Sequence, residues 1–178
     1  MVKLKLTKPT DIPALREIAI RTQLDTFGAF NSEANMRAYL DQAYSLENLY
    51  RELDEAGSRN YLAIQDRKIA GFMRLRRNDE VEQLLGSNTI EMQRLYVDTN
   101  RKGEGIGSVM MREALAVADN ESVDWIWLGV WERNIAAQKF YLKWKFEQFS
   151  EHVFQMGDDP QTDWLLRRRP PAFEEREF

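Results

Sequence analysis

Apolar and polar residues alternate first at Val2, Leu4 and Leu6 against Lys3, Lys5 and Thr7, the period of a half-buried strand. The period then lengthens to that of a helix. Ile12, Leu15, Ile18 or Ala19, and Thr22 share one face, Thr10 or Asp11 can cap it, and Pro13 sits in its first turn. Asn31, Ser32 and Glu33 open a second helix to about residue 44; Ser45 caps a third to about residue 56, with Gly57 as its stop. Residues 61–64 form a second strand, Asp66 and Arg67 a tight turn, and residues 69–75 a third strand containing Gly71. Arg74, Arg76 and Arg77 end it and are expected as a solvated edge. Residues 78–88 are polar and loop-like, and 89–97 make a fourth strand. Residues 124–131 are apolar on both faces, so this fifth strand is expected to be central and covered on each side. Asn134 opens a helix with Ala137, Phe140, Tyr141 and Trp144 at i, i+3, i+4 and i+7. Residues 146–149, 153–156 and 164–166 give two or three closing strands. From Arg167 the chain turns Arg- and Glu-rich with Pro170 and Pro171. It reads as a single domain over 1–169 with a charged tail at 170–178.

With 178 residues, 43% apolar and 11% aromatic, the chain suits one domain with one substantial core. It has no cysteine, which removes disulfides, thiolate metal sites and a Cys nucleophile. The N-terminus lacks the apolar run of a signal peptide and no stretch has membrane-spanning length, so a cytoplasmic protein without a membrane partner is expected. A net charge of −4 and a pI near 5.2 argue against nucleic acid and favour a cationic partner.

Between the fourth strand and the next helix lie Lys102, Gly103, Glu104, Gly105, Ile106, Gly107 and Ser108. The glycines allow close approach to the main chain, and the helix N-terminus adds free amides and partial positive charge, so a phosphate or pyrophosphate is the natural guest. Neither the Gly-Lys-Ser/Thr of a nucleoside triphosphate loop nor the Gly-x-Gly-x-x-Gly of a dinucleotide fold is present.

The strand end at Leu95, Tyr96 and Val97 followed by this loop resembles the acetyl-CoA pyrophosphate loop of the GNAT superfamily of N-acetyltransferases. Lys102 takes a place usually held by Gln or Arg, and Arg101 could supply a guanidinium in a shifted register. A second match is independent: Asn134, Ala137, Phe140 and Tyr141 follow the family's spacing after the fifth strand. The resemblance implies an α/β (α+β) fold with a mixed, mainly antiparallel sheet whose fourth and fifth strands splay apart. It implies acetyl-CoA as cofactor, and no metal. Main-chain groups around Leu95, Tyr96 and Val97 would meet the pantetheine arm, with the Leu95 N–H as oxyanion donor. Asn134 and Ala137 would lie along the cofactor, and Tyr141 near its sulfur.

Amine attack on a thioester expels a thiolate, which a phenol can protonate, so Tyr141 is the candidate acid. Glu91, acting through water, and Glu132 are the candidate bases, and His152, the only histidine, is rated structural. Both carboxylates, with Phe27 and Asn31 from the segment joining the first two helices, are candidate acceptor contacts. The stretches at 35–40, 129–132 and 156–163 resemble the bacterial PaiA-type spermidine/spermine N-acetyltransferases, which implies a polyamine acceptor and agrees with Glu91, Glu132, Asp158 and Asp159. Another small amine, a protein amine, and a non-catalytic acyl-CoA-binding module remain the alternatives. The apolar closing strands permit a homodimer.

Overall fold

The alternation at the N-terminus belongs to an edge strand. In the computed structural model, which describes residues 1–171, β1 (Lys3–Leu6) pairs only with β2 (Arg59–Gln65), so one face meets the core and Leu6 stays exposed. Three helices follow, α1 (Ile12–Phe27), α2 (Glu33–Ala43) and α3 (Leu46–Asp54). Ser32 and Ser45 cap the last two by accepting the amides of Asn35 and Asn48, each at 3.1 Å. Asp11 does not cap α1 through its side chain; its carboxylate accepts from the Lys8 amide and Lys5 Nζ. Gly57 lies beyond the end of α3, in the turn into β2 at φ +75°.

Asp66 and Arg67, with φ of 52° and 61°, form the two-residue turn from β2 to β3 (Lys68–Arg76), a left-handed geometry without glycine. The arginines ending β3 are not a solvated edge. β3 lies between β2 and β4 (Thr89–Val97), and Arg74 is 2% exposed. Its guanidinium reaches Glu55 at 2.5 Å, Glu52 at 3.4 Å, and Gln93. Arg76 binds Glu91 and Glu80, and Arg77 binds Glu121 at 2.8 Å. Buried guanidinium groups require such partners, and α3 with its C-cap Glu55, β4 and Glu121 bring most of them from elsewhere in the chain. The polar stretch 78–88 contains a short helix, α4 (Glu82–Leu85), because Val81 and Leu85 bury against Trp127.

β4 runs antiparallel to β3 from Glu91 to Val97 but parallel to β5 (Trp125–Trp131) for only three residue pairs, Thr89 to Glu91 against Trp125 to Trp127. Beyond Glu91 the two strands part. β5 continues instead against β7 (Asp159–Arg168), which pairs with the edge strand β6 (Glu147–Met156), giving the order β1-β2-β3-β4-β5-β7-β6. The closing segment is thus two strands: 146–149 and 153–156 merge into β6 with one irregularity between Gln148 and Ser150. Arg167 and Arg168 belong to β7 rather than to a tail, and Arg168 donates to the Trp144 carbonyl at 2.6 Å. The tail expected at 170–178 lies, from residue 172, outside the described residues.

α5 (Ile106–Asn120) and α6 (Ile135–Lys143) pack on one side of the sheet. Ile106, Met110, Ala114 and Val117 of α5 meet Met73, Met92, Ile126, Leu128 and Val130 there. α1 to α3 cover the opposite side, burying Ile12, Leu15, Ile18, Ala19, Met36 and Leu49 over Leu62 and Phe72. Each of the buried Ile, Leu, Val, Met and Phe side chains contributes roughly 1.5–3 kcal/mol. Among the described residues, no helix is long and apolar enough to cross a membrane, and no cluster of His, Cys, Asp and Glu could hold a metal ion.

Candidate active site

The parting of β4 and β5 opens a cavity of about 820 Å³. β4 keeps its ladder to β3 but offers no ladder partner on its other side from Met92 to Val97, so backbone groups there point into the cleft. Leu95, Tyr96 and Val97 line it.

One end is built by the loop after β4. Asp98 accepts from the Asn100 amide at 3.1 Å and from Arg21 at 2.7 Å, which fixes the start of the turn. Gly105 caps α5 at φ +80°, a conformation that costs a side chain strain, and no atom lies within 4 Å of where its Cβ would stand. The first amide of the helical ladder is Val109, which donates to Gly105 O at 3.1 Å, so the amides of Ile106, Gly107 and Ser108 precede it and face the opening. Lys102, Gly103, Gly105, Ile106, Gly107 and Ser108 all line the cavity. Glu104 does not: its carboxylate is drawn to Gln65 at 2.8 Å. Arg101 also lines the cavity while paired with Asp66 at 3.2 Å. Open glycines, free amides, a lysine and a helix N-terminus fit a diphosphate group.

α6 forms the adjoining wall. Asn134 caps it, accepting the Ala137 amide at 3.2 Å, which leaves its Nδ2 for any guest; Asn134, Ala137 and Tyr141 line the cavity. Tyr141 packs edge-on against Phe140 and Phe146, and burial pushes its phenol above the usual range, so it stays protonated. Its hydroxyl has no hydrogen-bond partner among the described residues.

At the opposite end, Glu91 is 6% exposed. Burial raises its carboxyl against the opposing pull of Arg76, and both Arg76 and Asn78 donate to Oε2, leaving Oε1 for the cavity that Glu91 lines. Phe27 also lines the cavity, its ring 5.7 Å from that of Trp131, and the ring of Phe30 stands 5.3 Å from Trp131. Asn31 is not part of the lining. It donates to the Phe27 carbonyl at 2.9 Å and accepts from Gln161 at 2.6 Å, while Asn35 donates to Asp158 at 2.7 Å. The segment between α1 and α2 is thereby clasped to the β6–β7 hairpin. Glu132 stands outside the cavity, and Asp158 and Asp159 are engaged by Asn35 and Gln161.

Several lining residues carry no site role in the sequence reading: Gly129, Trp131, Asp163 and Gln161, together with His152, which is no buried structural residue but a partly exposed side chain 3.7 Å from Asp163. Asp163 holds His152 above the usual imidazole range. Only the register Trp131↔Asp163↔His152 brings these together. Gly129 and Trp131 lie in the stretch 129–132, and Gln161 and Asp163 in 156–163, which the sequence resemblance singles out without a role for any one of them.

A profile of the acetyltransferase (GNAT) family matches residues 20–146. An uncharacterized N-acetyltransferase in the pepI 3′ region of Lactobacillus delbrueckii subsp. lactis is 34% identical over 167 residues, 94% of this chain and 96% of that protein. Among solved structures, the PaiA N-acetyltransferase of Thermoplasma acidophilum in complex with coenzyme A aligns with a TM-score of 0.79. It is 20% identical, over 95% of this chain and 99% of that one. A ribosomal-protein-alanine N-acetyltransferase from Brucella melitensis aligns at 0.74 and 19% identity, over 94% of this chain and 99% of that one. These two likenesses establish the fold, with its parallel β4–β5 seam and flanking helices. By profile and by sequence kinship, the chain belongs to the GNAT acetyltransferase family and is an N-acetyltransferase.

Proposed function

We propose that the chain uses acetyl-CoA to acetylate a primary amine of a small cationic acceptor, a polyamine such as spermidine or spermine. The observation that carries this is the set of carboxylates lining the cavity, Glu80, Glu91 and Asp163, beside a segment, residues 27–35, that is clasped to the β6–β7 hairpin. A cation needs carboxylates.

In this reading the loop amides from Gly103 to Ser108 and Lys102 hold the diphosphate, and the β4 edge around Leu95 to Val97 aligns the pantetheine arm. The Leu95 N–H donates to the thioester oxygen as the amine nitrogen bonds to its carbon. Glu91 takes the proton lost by the amine, through water, and Tyr141 gives its proton to the departing thiolate as the C–S bond breaks. Bulk solvent then restores both groups.

Thiol release from acetyl-CoA, measured across polyamines, diamines, amino acids and short peptides, tests the reading. Saturable turnover selective for polyamines is expected. Selective turnover of peptides or of uncharged amines would overturn the acceptor class, and acetyl-CoA binding without turnover on any amine would overturn the catalytic reading.

A further inference from the structure

We propose that Asp163 anchors a second cationic nitrogen of the acceptor, in a trough that the missing side chain of Gly129 opens in β5. The proposal rests on the amine-acetylating reading of the cavity and names the residue that selects among amines. Trp127, Leu128, Val130 and Trp131 of this central strand are all buried, yet Gly129 among them is exposed. A Cβ at 129 would stand 3.6 Å from Asp163 Oδ2, so the space left by the glycine lies directly beside a carboxylate oxygen. The register places Trp131, Asp163 and His152 on one face, toward the cavity.

Asp163 differs from the other carboxylates there. Glu91 and Glu80 are both held by Arg76, at 2.5 and 2.6 Å. Among the described residues no lysine or arginine pairs with Asp163, and its one cationic neighbour is His152, at 3.7 Å, beyond hydrogen-bond reach. The groups facing this imidazole are Asp163 on β7, Glu91 on β4 and Glu80 before α4, so it stands among three carboxylates. An acceptor ammonium can complete the Asp163 pair whenever the imidazole is neutral. The rings of Phe27 and Trp131 offer an apolar wall for a methylene chain and a π face for a cation. A monoamine whose only nitrogen is at the reacting end leaves Asp163 without a cation; an α,ω-diamine does not.

Calorimetric titration of CoA-saturated protein with α,ω-diamines of three to six methylenes, each against the monoamine of equal length, tests this directly. Wild type should bind the best diamine at least about tenfold tighter than its monoamine, and Asp163→Asn should reduce that preference below about threefold while the Kd for CoA, which reports a folded protein, holds. Gly129→Ala should weaken the diamine several-fold by narrowing the trough. A diamine preference absent from wild type, or retained in Asp163→Asn, overturns the proposal. Parallel turnover assays separate the two readings. Preferential, Asp163-dependent binding with no acetylation sinks the acetylation reading and keeps this one; equal turnover of diamines and monoamines keeps the former and sinks this one.

Discussion

Asn31 and Gln161 stand 130 positions apart in sequence and 2.6 Å apart in space, Gln161 Nε2 donating to Asn31 Oδ1. That bond, with the one from Asn35 to Asp158, joins the α1–α2 connection and the start of α2 to the far hairpin, beside the cavity that Phe27 and Gln161 line. Asn31→Ala should release the segment carrying Phe27 and Phe30. A hydrogen bond of this kind is worth about 0.5–1.5 kcal/mol, so the amine KM should rise roughly two- to tenfold with the KM for acetyl-CoA unchanged. Steady-state kinetics with each substrate varied in turn measures it.

Tyr141→Phe keeps the ring that packs against Phe140 and Phe146 and deletes only the hydroxyl. Removing a positioned general acid costs about 100-fold or more in rate, so kcat should fall by that order while CoA binding stays within about twofold. Single-turnover rates beside a CoA titration separate the two effects, and an unchanged kcat would remove Tyr141 from the chemistry.

Glu52 accepts both guanidinium nitrogens of Arg94, at 2.5 and 2.9 Å, and lies 3.4 Å from Arg74. All three side chains are buried. Glu52→Ala leaves two guanidinium groups short of a counter-ion, and the loss should be about 3–5 kcal/mol in urea unfolding. Arg74 and Arg94 sit in the middle strands, so the transition should move as a whole.

Glu91 has its carboxyl raised by burial, with Arg76 opposing. A base must be ionised, so kcat at saturating amine should fall as pH drops through a value above the ordinary carboxylate 4.5. Glu91→Gln should flatten that limb and lower kcat. The stability sign follows from the same shift: the protonated form is favoured in the folded state. Its contribution is fully present below the unfolded value and is lost as pH rises through the folded one. Thermal melts across that window, with and without the substitution, check it.

The loop from Lys102 to Ser108 and the Asn134 cap were legible because each is a local device, written in adjacent residues and fixed by backbone geometry. β4, α5 and α6 were legible for the same reason, their periods being unbroken. Arg74 was misread because its partners Glu52 and Glu55 come from α3 and the residue that ends it, and an arginine ending a strand looks solvated until a helix lies over it. The juxtaposition of Asp163, His152 and Gly129 was hidden because it lies in register: nothing in any one strand says that a carboxylate on β7 will stand beside a gap in β5. Glu132 and Asn31 show the reverse, polar residues close in sequence to the site whose side chains do not line it.

The seam between β4 and β5 has a mechanical meaning as well. Its three residue pairs make the shortest ladder in the sheet, shorter than the four that hold the edge strand β1. A continuous sheet carries shear from edge to edge; this one is two plates joined by a short stitch, bridged otherwise by the packing of α5 and by the clasp of the α1–α2 segment on the β6–β7 hairpin. The walls of the cavity are therefore the two plates themselves, and any molecule lying along the seam acts as a fastener between halves that the chain leaves largely unlaced.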